Sequence, residues 1–406
     1  MNVLHINQSD LVGGAAIAAY RLHQGLLEQN VDSHLLVGIV KTSSDRIQAV
    51  TRKYRIENLL FPLTSRLGFS YINIISSFDI PKHLFYQNAD IINFHNLHTG
   101  YFNYLAIPNL TKNKPGVFTL HDMWSFTGHC VYSYERDYWK TGCHKCPCLD
   151  TRSGLERGNT RLEWKLKNWV YSRSNLTIVC VSKWLFELAK QSMLNRFSIH
   201  HIPYGIDLQA YQPLDSELCR SLLGIPKGKK VLMFGSESLK NHRKGGDLLV
   251  KAVSSLPKSL QAEILLLTIG SDGKEMGKAM EIPTLNLGYV SSDRLKSIAY
   301  SASDLFIFPS RADNLPLVLQ ESLACGTPIV SFKVGGIPDL VRPNLTGYLA
   351  EPENSQDLCN GMIELLEDRE KRDRFSCNCR AIAVSEYSLE LQAQAYIQLY
   401  RQLLNH

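Results

Sequence analysis

The sequence predicts an α/β protein in which each half of the chain carries a parallel sheet covered by helices on both faces. Three observations predict it. Short apolar runs rich in β-favouring residues recur from end to end of the 406 residues. Amphipathic helical stretches separate them, the alternation that builds strand–helix–strand units. A segment punctuated by proline and glycine, Ile202-Pro203-Tyr204-Gly205-Ile206-Asp207, precedes a second strand–helix series. The length allows two or three domains at about 100–200 residues each, so either half can bury a core of its own.

In chain order, the first-half strands are expected at 3–6, 34–39, 91–94, 117–121 and 176–181, with Gly13-Gly14 and a helix over 15–28 following the first. The second half repeats the habit at 231–234, 264–269, 305–308 and 329–332, with helices over 247–255, 292–301 and 317–325. Residues 389–404 have apolar positions at helical spacing and read as a closing helix. The expected domains are therefore 1–205 and 206–385. A last segment, 386–406, returns to the first, and a cysteine-bearing insertion lies within 124–150.

Composition narrows the function classes. With 44% hydrophobic and 20% charged residues, disorder is not the default. The net charge of +6 comes without any basic run, so no nucleic-acid partner is expected. No apolar stretch approaches the ~18 residues of a membrane span. The N-terminus, Met-Asn-Val-Leu-His-Ile-Asn, lacks the pattern of a signal peptide, so a cytoplasmic protein is expected. Its ten cysteines are then thiols or metal ligands rather than structural disulfides.

The chemistry concentrates at strand ends. After the strand at 305–308 come Asp313, Asn314, Leu315, Pro316 and Leu317, then Glu321 two turns into a helix. The free amides of a helix N-terminus attract phosphate, and flanking carboxylates can accept hydrogen bonds from sugar hydroxyls. A capping role for Asp313 and a surface role for Glu321 remain the alternatives. After the strand at 231–234 come Arg243 and Lys244, which can neutralise a departing diphosphate or form a solvated basic turn. Gly13-Gly14 lets backbone approach a ligand closely, or is an ordinary loop. His121 and Asp122 lie at the carboxyl end of a strand, where open α/β sheets bind ligands. His95 ends another strand.

The segment from Phe308 to Val330 resembles the C-terminal signature of glycosyltransferase family 4, two glutamates separated by seven residues. Asp313 stands at the first position, one methylene shorter, and Glu321 at the second. The resemblance continues through Val334-Gly335-Gly336-Ile337-Pro338-Asp339, Thr346-Gly347-Tyr348-Leu349 and Leu287-Gly288-Tyr289-Val290, and the whole chain fits the family's layout. It implies the GT-B fold, two Rossmann-like domains facing a central cleft. It implies ribose binding by Glu321, sugar contacts by Asp313 and His121, diphosphate binding by Lys244, and a nucleobase-side loop at Tyr289. Gly13 and Gly14 would lie over the donor phosphates, and His95 on the acceptor side. Ser236 stands where the family usually has an arginine, a charge that Arg243 can supply.

Two further features bear on the reading. Cys130, Cys143, Cys146 and Cys148 fall within twenty residues and form a candidate tetrahedral zinc site; unligated thiols or a disulfide are the alternatives. A closed set of four thiolates would make the zinc structural. Residues 53–86 mix aromatics, aliphatics and cations, and read either as core helices or as a surface that meets a membrane or an acceptor.

The function these readings imply is a retaining glycosyltransferase. It would move a hexose-type sugar from a UDP-, GDP- or ADP-sugar to a glycan or lipid-linked acceptor in cell-surface polysaccharide or glycolipid synthesis. Peripheral contact with the inner membrane face is expected, and no cofactor is required for catalysis. A nucleotide-sugar epimerase or phosphorylase of the same fold, and a non-catalytic scaffold, are the rivals.

Overall fold

The computed structural model describes residues 1–134, 136–144, 159–238, 241–271 and 273–405. They form two compact units, Met1–Gly205 with Leu389–His406, and Ile206–Ser388.

In the first unit the strands are β1 (Asn2–Ser9), β2 (Asp32–Ile39), β3 (Ile47–Ala49), β4 (Ile91–Phe94), β5 (Gly116–Leu120), β6 (Leu176–Cys180) and β7 (Ile199–His201). Among the described residues they make one parallel sheet in the order β3-β2-β1-β4-β5-β6-β7. Every residue of β4, β5 and β6 is buried, which is why these strands read as unbroken apolar runs. The order reverses between β1 and β4. At such a reversal open α/β sheets bind ligands outside the carboxyl ends of their strands.

The helix Leu389–Leu404 completes this unit. Gly25, on the helix Gly14–Glu28, has no room for a side chain: a Cβ there would lie 3.0 Å from Leu389 and 3.3 Å from Ala393. Tyr396 bonds Thr119 on β5 at 2.9 Å, and Tyr400 accepts from Asn93 on β4 at 2.8 Å. The loop after β5 is held from below by Lys167 of the helix Thr160–Tyr171. That fully buried ammonium donates to the carbonyls of Trp124 (2.6 Å), Thr127 (3.0 Å) and Gly128 (3.3 Å) and lies 3.6 Å from the centre of the Trp124 ring.

The mixed segment 53–86 divides. The helix Tyr54–Arg66 is solvated along almost its whole circumference, with Leu59 79%, Phe61 50% and Leu63 60% exposed. Its buried anchor is Glu57, which accepts from Arg52 at 2.7 Å and from the Ser76 amide at 2.9 Å. Downstream, Ile74 is buried, Ile80 belongs to the core, and Tyr71 and Ile72 pack against it. The core reading therefore holds for the downstream part of the segment, while the helix Tyr54–Arg66 lies on the surface of the unit.

In the second unit β8 (Lys230–Ser238), β9 (Ile264–Ser271), β10 (Thr284–Asn286), β11 (Leu305–Phe308), β12 (Ile329–Phe332) and β13 (Gly347–Ala350) form a parallel sheet in the order β10-β9-β8-β11-β12-β13. Here the order reverses between β8 and β11.

Candidate functional site

In the first unit the residues singled out by chemistry follow β1, β4 and β5, and in the second the charged ones follow β8 and β11, the two strands flanking the reversal. In the second unit Arg243 and Lys244 follow β8, and Asp313 follows β11. The Asp313 carboxylate lies between the two cations, with Oδ1 2.8 Å from Arg243 Nη1 and Oδ2 2.8 Å from Lys244 Nζ. Ser310 also donates to Oδ2 at 2.7 Å, and Arg243 donates to the Ala312 carbonyl at 2.6 Å. Burial alone would raise the Asp313 pKa, but the two neighbouring cations hold it below the ordinary carboxylate value. Burial lowers the Lys244 pKa and Asp313 opposes that shift. Three charges in this arrangement sum to one positive charge on a fixed frame.

Two glycines make the frame possible. At Gly245, φ is +70° and a Cβ would fall 1.9 Å from the Pro309 carbonyl oxygen. At Gly335, φ is +54° and a Cβ would fall 2.0 Å from the Asp313 carbonyl oxygen, which accepts the Gly336 amide at 3.1 Å. Both chain crossings thus press the loops after β8, β11 and β12 together.

Asp313 does not cap a helix: the helix Leu317–Ala324 begins after Pro316. Asn314, Leu315, Pro316 and Leu317 are buried at its start. Glu321 is buried within the helix, with Tyr300 donating to Oε2 at 3.4 Å, so it is not the surface acid that spacing alone allowed. Tyr289 follows Gly288, whose φ is +66°, and is 76% exposed, open to stacking on a planar ring.

In the first unit Gly13, at φ +88°, precedes the helix that Gly14 begins. The loop is tied down by buried Asp10, which accepts from the amides of Leu11 (2.9 Å), Lys41 (2.9 Å) and Thr42 (2.8 Å) and from the Thr42 hydroxyl (2.8 Å). Three histidines line up across the neighbouring strands. His5 lies on β1, and His95 and His121 directly follow β4 and β5. His5 Nδ1 is 2.9 Å from His95 Nε2, His95 Nδ1 is 3.0 Å from His121 Nε2, and His121 Nδ1 is 2.6 Å from the Tyr204 hydroxyl. Burial drives the pKa of all three imidazoles down, His121 to about 4 and the other two well below the ordinary histidine value. His95 was expected on the acceptor side. It is buried, with both ring nitrogens engaged by His5 and His121. Beside the row, Asp122 bonds His98 Nε2 at 2.8 Å and accepts the Trp124 amide at 2.8 Å.

Sequence reasoning missed Ser310, Asp10, Tyr204 and His5. The available signal for His5 was that three adjacent strands each bring a histidine to the same edge of the sheet. Of the four candidate zinc ligands, Cys130 and Cys143 are buried, and Cys143 Sγ accepts the Gly128 amide at 3.1 Å. Cys146 and Cys148 lie outside the described residues. Among the described residues, no group of three His, Cys, Asp or Glu side chains could hold a metal ion.

Comparison with known proteins adds the following. The family model "Glycosyl transferases group 1" matches residues 217–381, and "Glycosyltransferase Family 4" matches residues 12–210. The chain is 27% identical to the putative colanic acid biosynthesis glycosyl transferase WcaC of Escherichia coli K12, over 99% of this chain and 100% of that protein. It is 29% identical to D-inositol 3-phosphate glycosyltransferase 1 of Catenulispora acidiphila, over 42% of this chain and 44% of that protein. Among solved structures, sucrose-phosphate synthase of Thermosynechococcus elongatus superposes with a TM-score of 0.71 at 17% identity, covering 100% of both chains. HepE of Anabaena, in complex with UDP and glucose, superposes with a TM-score of 0.69 at 17% identity, covering 99% of this chain and 100% of that one.

Proposed function

This chain belongs to the group 1, family 4 glycosyltransferases and has their GT-B fold, and we propose that it is a retaining enzyme that transfers a sugar from a nucleoside-diphosphate sugar to a glycan or lipid-linked acceptor. The observation that carries the reading is the Arg243–Asp313–Lys244 cluster at the reversal point of the second sheet. As the bond from the anomeric carbon to the diphosphate oxygen breaks, negative charge grows on that oxygen, and a cation already fixed in place stabilises it without reorganising. The leaving oxygen takes the acceptor hydroxyl's proton, and the new bond forms on the face that the diphosphate leaves. These fixed cations supply the charge that a catalytic metal would otherwise bring.

Asp313 positions the two cations rather than serving first as a sugar ligand. Glu321 binds the ribose hydroxyls, and Tyr289 covers the nucleobase. Gly13 and Gly14 approach the donor phosphates, and His121 borders the sugar. HepE, solved with UDP and glucose, supports a nucleoside-diphosphate donor, and the colanic acid relative supports a role in cell-surface polysaccharide synthesis.

The solvated helix Tyr54–Arg66 supports peripheral contact with an anionic membrane face. Exposed Ile56, Leu59, Phe61 and Leu63 are accompanied by exposed Lys53, Arg55 and Arg66, the pairing that seats a helix at a headgroup boundary. No described helix is long and apolar enough to cross a membrane. A structural zinc held by Cys130 and Cys143 with Cys146 and Cys148 is supported by the two buried thiols and the amide donated to Cys143.

The deciding experiment incubates the protein with a panel of UDP-, GDP- and ADP-sugars, with and without vesicles carrying polyprenyl-linked glycans, and follows release of the nucleotide. Release with one donor, stimulated by acceptor and with the α-anomeric configuration kept in the product, is expected. Epimerised sugar nucleotide without release, or no turnover of any donor, overturns the proposal.

A further inference from the structure

The three histidines behind the first-unit site have a property that their lining-up alone does not require. Each of the two inner rings has its hydrogen-bonding fixed by its neighbours. His95 gives one nitrogen to His5 and the other to His121, at 2.9 and 3.0 Å. The far nitrogen of His5, Nε2, is buried with no hydrogen-bond partner among the described residues. The rings are inclined to one another by 28° between His5 and His95 and by 34° between His95 and His121, with centroids 5.2 Å apart in each pair.

Neutral imidazoles carry one ring proton each, so only two arrangements fill every bond of the row. In one, every proton points outward: His5 Nδ1–H donates to His95, His95 Nδ1–H to His121, and His121 Nδ1–H to the Tyr204 oxygen. In the other, every proton points inward: Tyr204 donates to His121 Nδ1, His121 Nε2–H donates to His95, and His95 Nε2–H to His5. The two differ at the buried end. The outward arrangement leaves a lone pair on His5 Nε2 unfilled, and the inward one leaves an N–H there without an acceptor. Orphaned buried N–H groups are the rarer and costlier of the two.

We propose that His5 and His95 are positioning residues that hold His121 as its Nδ1–H tautomer, so that Tyr204 accepts from His121 and directs its own hydroxyl proton away from the ring. The proposal rests on the reading of His121 as a neighbour of the donor sugar. A residue two strands away thereby decides which hydrogen bonds His121 and Tyr204 can make at the strand ends. Burial keeps the row neutral. His23 and His34 add repulsion against a proton on His5, while at His121 nearby Asp122 favours the charged form and His98 opposes it.

The test uses full-length protein labelled with ¹⁵N-histidine. In the parent, His121 is expected to show a protonated Nδ1 and a bare Nε2 at neutral pH. His5→Asn keeps an N–H donor near the place of Nδ1 and should preserve that pattern. His5→Leu removes the donor and should let His121 exchange between tautomers. With it, kcat should fall by on the order of ten- to hundredfold at an unchanged donor KM, while His5→Asn restores most of the rate. A protonated Nε2 on His121 in the parent overturns the proposal. So does an unchanged His121 spectrum in folded His5→Leu. Should His5→Leu fail to fold, the parent spectrum and His5→Asn still decide. A parent that shows the expected tautomer but turns over no sugar nucleotide defeats the proposed function and leaves the tautomer assignment standing.

Discussion

Lys244→Ala separates chemistry from folding more cleanly than any other change in the second unit. The side chain's hydrogen-bond partner is the Asp313 carboxylate, 2.8 Å away. When it is removed, that carboxylate still has Arg243 at 2.8 Å and Ser310 at 2.7 Å, so no unpaired buried charge is left behind. The folding cost is therefore that of one lost charge-assisted hydrogen bond, about 1–3 kcal/mol. The catalytic cost is larger in effect. Losing one fixed charge opposite a developing diphosphate removes on the order of 3 kcal/mol of transition-state stabilisation, about a hundredfold in turnover. The assay is nucleotide release at saturating donor, run beside urea unfolding of both proteins. The expected result is a folded variant with a hundredfold lower kcat. Equal turnover by variant and parent would refute the role of Lys244, and with it the reading of the cluster as the diphosphate site.

Glu321→Gln should raise donor KM more than it lowers kcat, because a ribose contact is made in the ground state as well as the transition state. An unchanged KM in steady-state kinetics would remove Glu321 from the donor. The buried histidines predict acid instability well above the carboxylate range. His5, His23, His95 and His121 all have depressed folded pKa values, His23 and His121 at about 4, so the unfolded chain binds protons that the folded chain refuses as pH falls through about 6.5. Each such group should lower stability by up to about 1.4 kcal/mol per pH unit between the two pKa values; a urea midpoint that stays flat from pH 7.5 to 5 would contradict this. Protein purified without chelator should hold about one zinc per chain; metal-free protein by elemental analysis with four titratable cluster thiols would end the zinc proposal. The helix Tyr54–Arg66 should carry the protein onto anionic vesicles at low salt, and Leu59→Ser with Phe61→Ser should abolish this without unfolding, since both side chains are exposed. Absence of sedimentation by the parent on any vesicle would exclude membrane contact.

What the sequence makes legible follows from how each strand is buried. The strands expected at 91–94, 305–308 and 329–332 have those bounds in the structure. They lie inside their sheets, where apolar residues at successive positions are demanded by helices on both faces. The strands that went unpredicted are β3, β7, β10 and β13, and each is the edge of its sheet. An edge strand is three or four residues here, pairs on one side and has only part of its surface covered. Its sequence therefore shows no continuous apolar run, and in β13 the visible feature was Gly347, whose hydrogen atom leaves room for the Ile329 carbonyl. A Cβ there would lie 1.9 Å from that oxygen.

The site was legible to the same depth and for a related reason. Strand ends followed by glycine, charge or histidine mark where an open sheet binds ligands, so Gly13, His121, Lys244 and Asp313 could be found one strand at a time. What a strand-by-strand reading misses is the relation between strands. Asp313 looked like a sugar ligand until the loop after β8 was brought against it. Only then does its carboxylate have two cations within 2.8 Å. His95, read from its strand alone as an acceptor-side residue, has both its nitrogens engaged by histidines of β1 and of the loop after β5. In each case the parallel register sets the chemistry: β1 pairs with β4 so that His5 stands opposite Asn93, two residues before His95, and the ring can reach across. A residue's type and its place at a strand end indicate that it belongs to a site. Whether it meets the ligand or steadies the residue that does depends on its neighbours on the adjacent strands, and for His5 and Asp313 those neighbours are the basis of the supporting roles proposed above.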